Sequence, residues 1–177
     1  MKNFDELKGF DKVDEIISEF VAWFDCEAEL SDEFVYFHDD CTVGYTLVIG
    51  DFADKVWKEY VLKKFNYSIK NTFVFSLLHE IGHHYTIGLF DSKRTKEEKA
   101  KIDRIEKLLK LTSGDDAERV LHLAYFDLPT ERIATEWAVK YARENEKELN
   151  DFWNKLNSAL REFYRLNLDP TEWRNLA

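Results

Sequence analysis

Proline and glycine are scarce in this chain, with two prolines and six glycines in 177 residues. Long helices and few turns are expected from that. Cysteine is equally sparse: Cys26 and Cys41 have no CxxC spacing, so the reduced thiols of a cytosolic protein are expected. No stretch approaches about 18 uninterrupted apolar residues, so no membrane-spanning helix is expected. The opening residues Met1 to Glu6 are acidic and lack the apolar run of a signal peptide, and the expected location is cytoplasmic. Positive charge is in deficit, 25 basic residues against 35 acidic ones, for a formal charge of -10. Such a chain has no general attraction to nucleic acid, and direct binding is not expected. It favours a basic partner, or mimicry of a polyanion.

What is present is apolar material. Hydrophobic residues make up 45% of the chain and aromatics 15%, enough for a core without disulfide or metal staples. No linker, repeat or low-complexity segment interrupts it, so residues 1–177 are expected to form one domain.

Phe10, Val13, Ile16, Ile17, Phe20, Val21 and Phe24 recur at three- and four-residue steps and predict an amphipathic helix over 5–24. Phe34-Val35-Tyr36-Phe37 and Tyr45-Thr46-Leu47-Val48-Ile49 are dense in β-branched and aromatic residues. With the turn-like Asp39 to Thr42 between them, they predict an antiparallel hairpin over about 33–50. A helix is expected over 52–65, burying Phe52, Val56, Tyr60 and Phe65. Asn71-Thr72 offers an N-cap to the run Phe73 to Glu80, which is apolar on nearly all sides and so predicts a central buried helix that fades near Gly88. Residues 93–111 hold eight basic and four acidic residues. They read as a solvated helix with one apolar stripe of Ile102, Ile105, Leu108 and Leu109. Ser113 to Asp116 breaks that helix and caps a short one ending at Tyr125, so about 91–117 forms a charged helical insertion. Pro129 suits the first position of a further helix, capped by Asp127 or Leu128. That helix carries Ile133, Ala134, Trp137, Ala138 and Tyr141. A C-terminal helix over about 146–167 presents Leu149, Phe152, Trp153, Leu156, Leu160, Phe163 and Tyr164, and Asp169-Pro170 ends it. The expected fold is α+β, mostly α, with a small antiparallel sheet packed on a helical bundle.

Within the central helix stands His79-Glu80-Ile81-Gly82-His83. Residues four apart on a helix lie about 40° apart and one turn above each other, so both imidazoles can reach one metal ion. Glu80, one step round, can touch a metal-bound water without being a ligand. Zinc lowers the pKa of such a water toward about 7. A carboxylate beside it can take the proton and later deliver it to a leaving amine. Gly82 costs about 1 kcal/mol of helix propensity against alanine, which an ordinary buried helix does not need. A catalytic zinc usually takes three protein ligands. The metzincin spacing needs glycine at 86 and histidine at 89, where this chain has Thr86 and Leu89. The third ligand must come from a later segment, with Glu118, His122, Glu131 and Glu136 as candidates.

The segment Leu128-Pro129-Thr130-Glu131-Arg132-Ile133-Ala134-Thr135-Glu136-Trp137-Ala138 resembles the second motif of the ImmA/IrrE-like metallopeptidases: Glu, two residues, Ala, Asn or Asp, one residue, an aromatic, then Ala. The resemblance spans roughly residues 30–142. It implies a minimal zincin fold, zinc as cofactor, and Glu131 as third ligand beside His79 and His83. It also implies cleavage of an intracellular regulatory protein, often a repressor tied to mobile elements or stress. Three departures stand out. Thr135 replaces the usual Asn or Asp, which weakens the expected hydrogen bond to a metal ligand. Val139-Lys140-Tyr141-Ala142 stands where an apolar Leu-Leu-Met-Pro-like tail is usual. Glu131 stands 48 positions after His83, a long gap for this family.

Beside Glu131, Glu136 lies about 140° round the helix and reads as solvated, and Glu118 reads as a surface charge. His122 is a candidate ligand or oxyanion stabiliser. Tyr85, Tyr125 and Tyr141 each offer a phenol for the same task. His84 points about 100° away from His83 and reads as a neighbour, and His38 in the hairpin reads as structural. Segment 43–49 is the better candidate for an edge strand pairing with an extended substrate. Two other functions fit the same residues less well. One is a binding or inhibitory protein on a zincin scaffold, for which Glu80 has no use. The other is a zinc hydrolase acting on a non-peptide bond.

Overall fold

The apolar residues spaced by threes and fours form helix α1 (Phe10–Ala22), which buries Phe10, Val13, Ile16, Ile17, Phe20 and Val21. This helix belongs to a computed structural model that describes residues 7–30, 36–37, 42–45, 51–89 and 92–167. The helix begins later than the periodicity suggests because Gly9 takes the left-handed conformation at φ 83°, which a helix cannot pass through. Phe24 lies beyond the helix end but is buried all the same.

Among the described residues three short strands follow: β1 (Glu27–Leu30), β2 (Tyr36–Phe37) and β3 (Thr42–Tyr45). Their spatial order is β1-β3-β2. Strand β2 pairs antiparallel with β3, Tyr36 opposite Gly44 and Phe37 opposite Val43. Strand β1 pairs parallel with β3, from Glu27 opposite Thr42 to Leu30 opposite Tyr45. The sheet is therefore mixed, where an antiparallel hairpin alone was expected. Strand β1 escapes propensity arguments because Glu-Ala-Glu-Leu is poor in strand formers. Its alternation is nonetheless regular, with Glu27 and Glu29 exposed and Ala28 and Leu30 packed on the core. Strand β3 is central and buried, and the Tyr45 hydroxyl donates to Asp14 Oδ1 at 2.6 Å, tying the sheet to α1. The expected strand segments 33–35 and 46–50, the turn 39–41 with Cys41, His38 and the 169–170 stop lie outside the described residues.

Helix α2 (Asp51–Phe65) buries Val56, Trp57, Tyr60 and Val61. Helix α3 (Thr72–Thr86) starts at Asn71, whose Oδ1 accepts the Val74 N–H at 2.9 Å. It ends in a single 3-10 turn, Ile87–Leu89. Helices α4 (Ser92–Leu111) and α5 (Asp115–Phe126) make up the charged segment, with Gly114 at φ 124° between them. Helix α6 (Pro129–Glu144) has Pro129 in its first turn. The C-terminal helix α7 (Glu146–Asn167) packs on α1, with Phe20 and Phe152 stacked at 4.0 Å. The most extensive helix pair is α3 with α6. Strands β2 and β3 lie beside α3. Among the described residues no helix is long and apolar enough to cross a membrane.

Candidate metal centre

The Asn71 cap fixes where α3 starts, and hence which of its residues face α6. Leu77, Leu78 and Ile81 are fully buried, as is Gly82 between the two helices. A Cβ built on Gly82 would lie 2.6 Å from the Ala134 carbonyl oxygen and 3.1 Å from its carbon. The two backbones therefore touch at Gly82 and Ala134, and only a glycine permits that approach. One turn earlier on α6 is Glu131, which this crossing brings over His79 and His83.

Three ligand-type atoms meet there. His79 Nε2 and Glu131 Oε2 are 3.1 Å apart, His79 Nε2 and His83 Nε2 are 3.3 Å apart, and His83 Nε2 and Glu131 Oε2 are 3.5 Å apart. Ligand bonds of about 2.0–2.2 Å at tetrahedral angles put neighbouring donors about 3.3 Å apart. The triangle matches that separation, and these residues could hold one metal ion. Two imidazoles and a carboxylate are donors of the kind zinc takes in catalytic sites. His79 and Glu131 are buried, while His83 is more open.

The electrostatics follow from that packing. Burial works against the Glu131 carboxylate, but hydrogen bonds from His79 and His83 outweigh it and hold the group well below the usual carboxylate range. Burial likewise works against protonated His83, but the bonded Glu131 carboxylate prevails and raises it above its ordinary value. Glu80, partly buried beside the pair, is raised by burial; the two histidines oppose the rise and Glu131 adds to it.

Thr135 Oγ1 lies 3.0 Å from His79 Nδ1. A proton on Nδ1 shared with Thr135 leaves the Nε2 lone pair facing His83 and Glu131. The Tyr125 hydroxyl is hydrogen-bonded to Glu131, and burial together with the nearby Glu131 and Glu80 raises its pKa. The structure does not bring His122 into the triangle. Its ring lies along Phe126 at 6.1 Å, and burial lowers its pKa against the opposing charge of Glu118. Tyr141 is ten residues beyond Glu131, about 15 Å along the helix. It stacks on Trp137 at 5.3 Å, and Trp137 stacks on Tyr85 at 4.9 Å. His84 meets Tyr85 edge-on, Glu118 is half-buried, and Glu136 is exposed.

Two neighbours of the triangle went unread in the sequence. Trp57 of α2 meets the His79 ring edge-on at 5.4 Å and forms a wall of the site. Glu98 of α4 is buried and bonds to Thr130, next to Glu131. A signal for Glu98 was available: it stands four residues before Ile102, in line with the stripe that continues through Ile105 and Leu109. Searches against protein-family models, curated proteins and solved structures return no match to this chain.

Proposed function

We propose that this chain is a zinc-dependent peptidase of the ImmA/IrrE-like kind, with His79, His83 and Glu131 as ligands and Glu80 as general base. The observation that carries this reading is the triangle of His79 Nε2, His83 Nε2 and Glu131 Oε2, with sides of 3.1 to 3.5 Å. Zinc, when bound, supplies a Lewis acid that makes a water acidic near neutral pH. Burial raises Glu80 above its ordinary value, which makes it a stronger base toward that water. It takes one proton from the attacking water, whose oxygen bonds to the peptide carbonyl carbon. When the C–N bond breaks, Glu80 returns that proton to the leaving nitrogen. Thr135 orients His79, and Tyr125 orients Glu131. The substrate backbone needs a strand with an open edge. Among the described residues β3 is paired on both sides, so that role falls to β2, an outer strand beside α3. The formal charge of -10 favours a basic protein substrate, captured faster at low salt.

The test is metal content and proteolysis of the wild type against Glu80→Gln. Both proteins should carry one zinc, and only the wild type should cleave. Equal cleavage by both removes Glu80 from the mechanism. Absence of zinc from both removes the metal site.

A further inference from the structure

We propose that Glu98, in the charged segment, is a positioning residue that fixes the turn of α6 carrying Glu131 and so completes the metal site. This rests on the ligand triangle described above. Helix α6 has no side-chain cap of its own: Leu128 occupies the N-cap and Pro129 follows it. Glu98 supplies the missing partner from another helix. Its Oε1 accepts the Thr130 backbone N–H at 2.6 Å and the Thr130 hydroxyl at 2.5 Å. A carboxylate at a helix N-terminus bonds the exposed N–H groups and is favoured by the helix dipole. Thr130 immediately precedes Glu131, so the clamp acts on the first turn of α6, from which the third ligand projects.

Placement separates Glu98 from an ordinary surface acid. It is 4% exposed on a helix whose other acids, Glu97, Asp103 and Glu106, face solvent. Burying a carboxylate is unfavourable unless it is paired, and leaving one side of such a bond empty is worse. Glu98 thus holds the helix that carries Glu131 while ligating nothing itself. On this reading the segment between His83 and Glu131 is a strut for the metal centre and not a detached lid.

The experiment compares wild type, Glu98→Gln, Glu98→Ala and Thr130→Val. Zinc affinity is measured by chelator competition, the cobalt(II) d–d spectrum reports ligand geometry, and amide exchange over 130–134 is followed in the metal-free protein. Glu98→Ala should weaken zinc binding about 10- to 100-fold, the range for partners that orient metal ligands. It should also alter the cobalt spectrum and speed exchange at the start of α6. Glu98→Gln keeps an acceptor oxygen and should restore most of the exchange protection and part of the affinity. Thr130→Val loses one of the two bonds and should fall between wild type and alanine; it carries the test if Glu98→Ala does not fold. A variant that lowers thermal stability but leaves zinc affinity and the cobalt spectrum of the folded protein unchanged overturns the proposal. If the wild type binds neither metal, the peptidase reading fails. Exchange then decides the clamp alone, and unchanged exchange in Glu98→Ala overturns it.

Discussion

Gly82→Ala is the sharpest perturbation of this site, because two effects on it have opposite signs. Alanine improves helix propensity by about 1 kcal/mol. Against that, its Cβ falls 2.6 Å from the Ala134 carbonyl oxygen, and ordinary contact begins near 3.4 Å. The obstacle is backbone and not the end of a flexible side chain, so α6 must withdraw by about 0.8 Å to relieve the contact. Overpacking of this kind costs about 1–3 kcal/mol, which leaves a net loss of about 1 kcal/mol and a melting temperature lower by about 2–4 °C. The larger effect falls on the site. Withdrawal carries Glu131 Oε2 from 3.1 Å to nearly 4 Å from His79 Nε2, beyond hydrogen-bond range. Metal affinity should drop at least about tenfold. Calorimetry on the metal-free protein and chelator competition on the zinc-loaded protein measure the two parts separately. A Gly82→Ala protein that melts higher and binds zinc as the wild type does would refute the close-crossing argument.

Glu131→Ala should cost more zinc affinity than the roughly 10- to 100-fold loss typical of partners outside the ligand set; unchanged stoichiometry and affinity by elemental analysis and titration would remove Glu131 from the site. Thr135→Val leaves the buried His79 Nδ1 without its hydrogen-bond partner, so about 1–3 kcal/mol of stability should be lost, with Thr135→Ser recovering most of it in denaturant melts. In the metal-free protein, His83 is raised above 6.5, so its pairing with Glu131 stabilises fully below that pH and is lost as pH rises through the raised value. Metal must displace the same proton, so zinc affinity should rise over that interval. The gap in melting temperature between zinc-loaded and chelated protein should widen as pH rises from the ordinary histidine range through the raised value, and a constant gap would contradict the assignment.

Much of this was legible in the sequence, for identifiable reasons. The seven helices of the described residues announce themselves through stripes at three- and four-residue steps, through Asn71 as a cap and through Pro129 as a first-turn residue. His79 and His83 follow from spacing on one helix. That Glu131 joins them needed the resemblance, because helix periodicity fixes which face a residue occupies and not which helix it meets. Strand β1 was hidden because its pairing is supplied by β3 and not by its own poor strand formers. Gly82 could be flagged as unfavourable in a helix, but its reason lies in Ala134, 52 positions on. Glu98 was counted among the charges of a solvated helix, though its place in the apolar stripe marked it as inward-facing.

The separation of the two halves of the candidate metal site along the chain also sets an order of events at synthesis. Helix α3 is apolar on most of its surface and rests against α6, yet 42 residues lie between the end of α3 and the start of α6. On a ribosome adding about 5–20 residues each second, α3 waits at least about two seconds before its cover is made. During that interval Leu77, Leu78 and Ile81 have no α6 to bury them, and the two histidines have no carboxylate to complete a ligand set. The nascent chain is then both sticky and unable to form the three-ligand site. Chains interrupted between α3 and α6 should be held by chaperones or degraded rather than accumulate half-built.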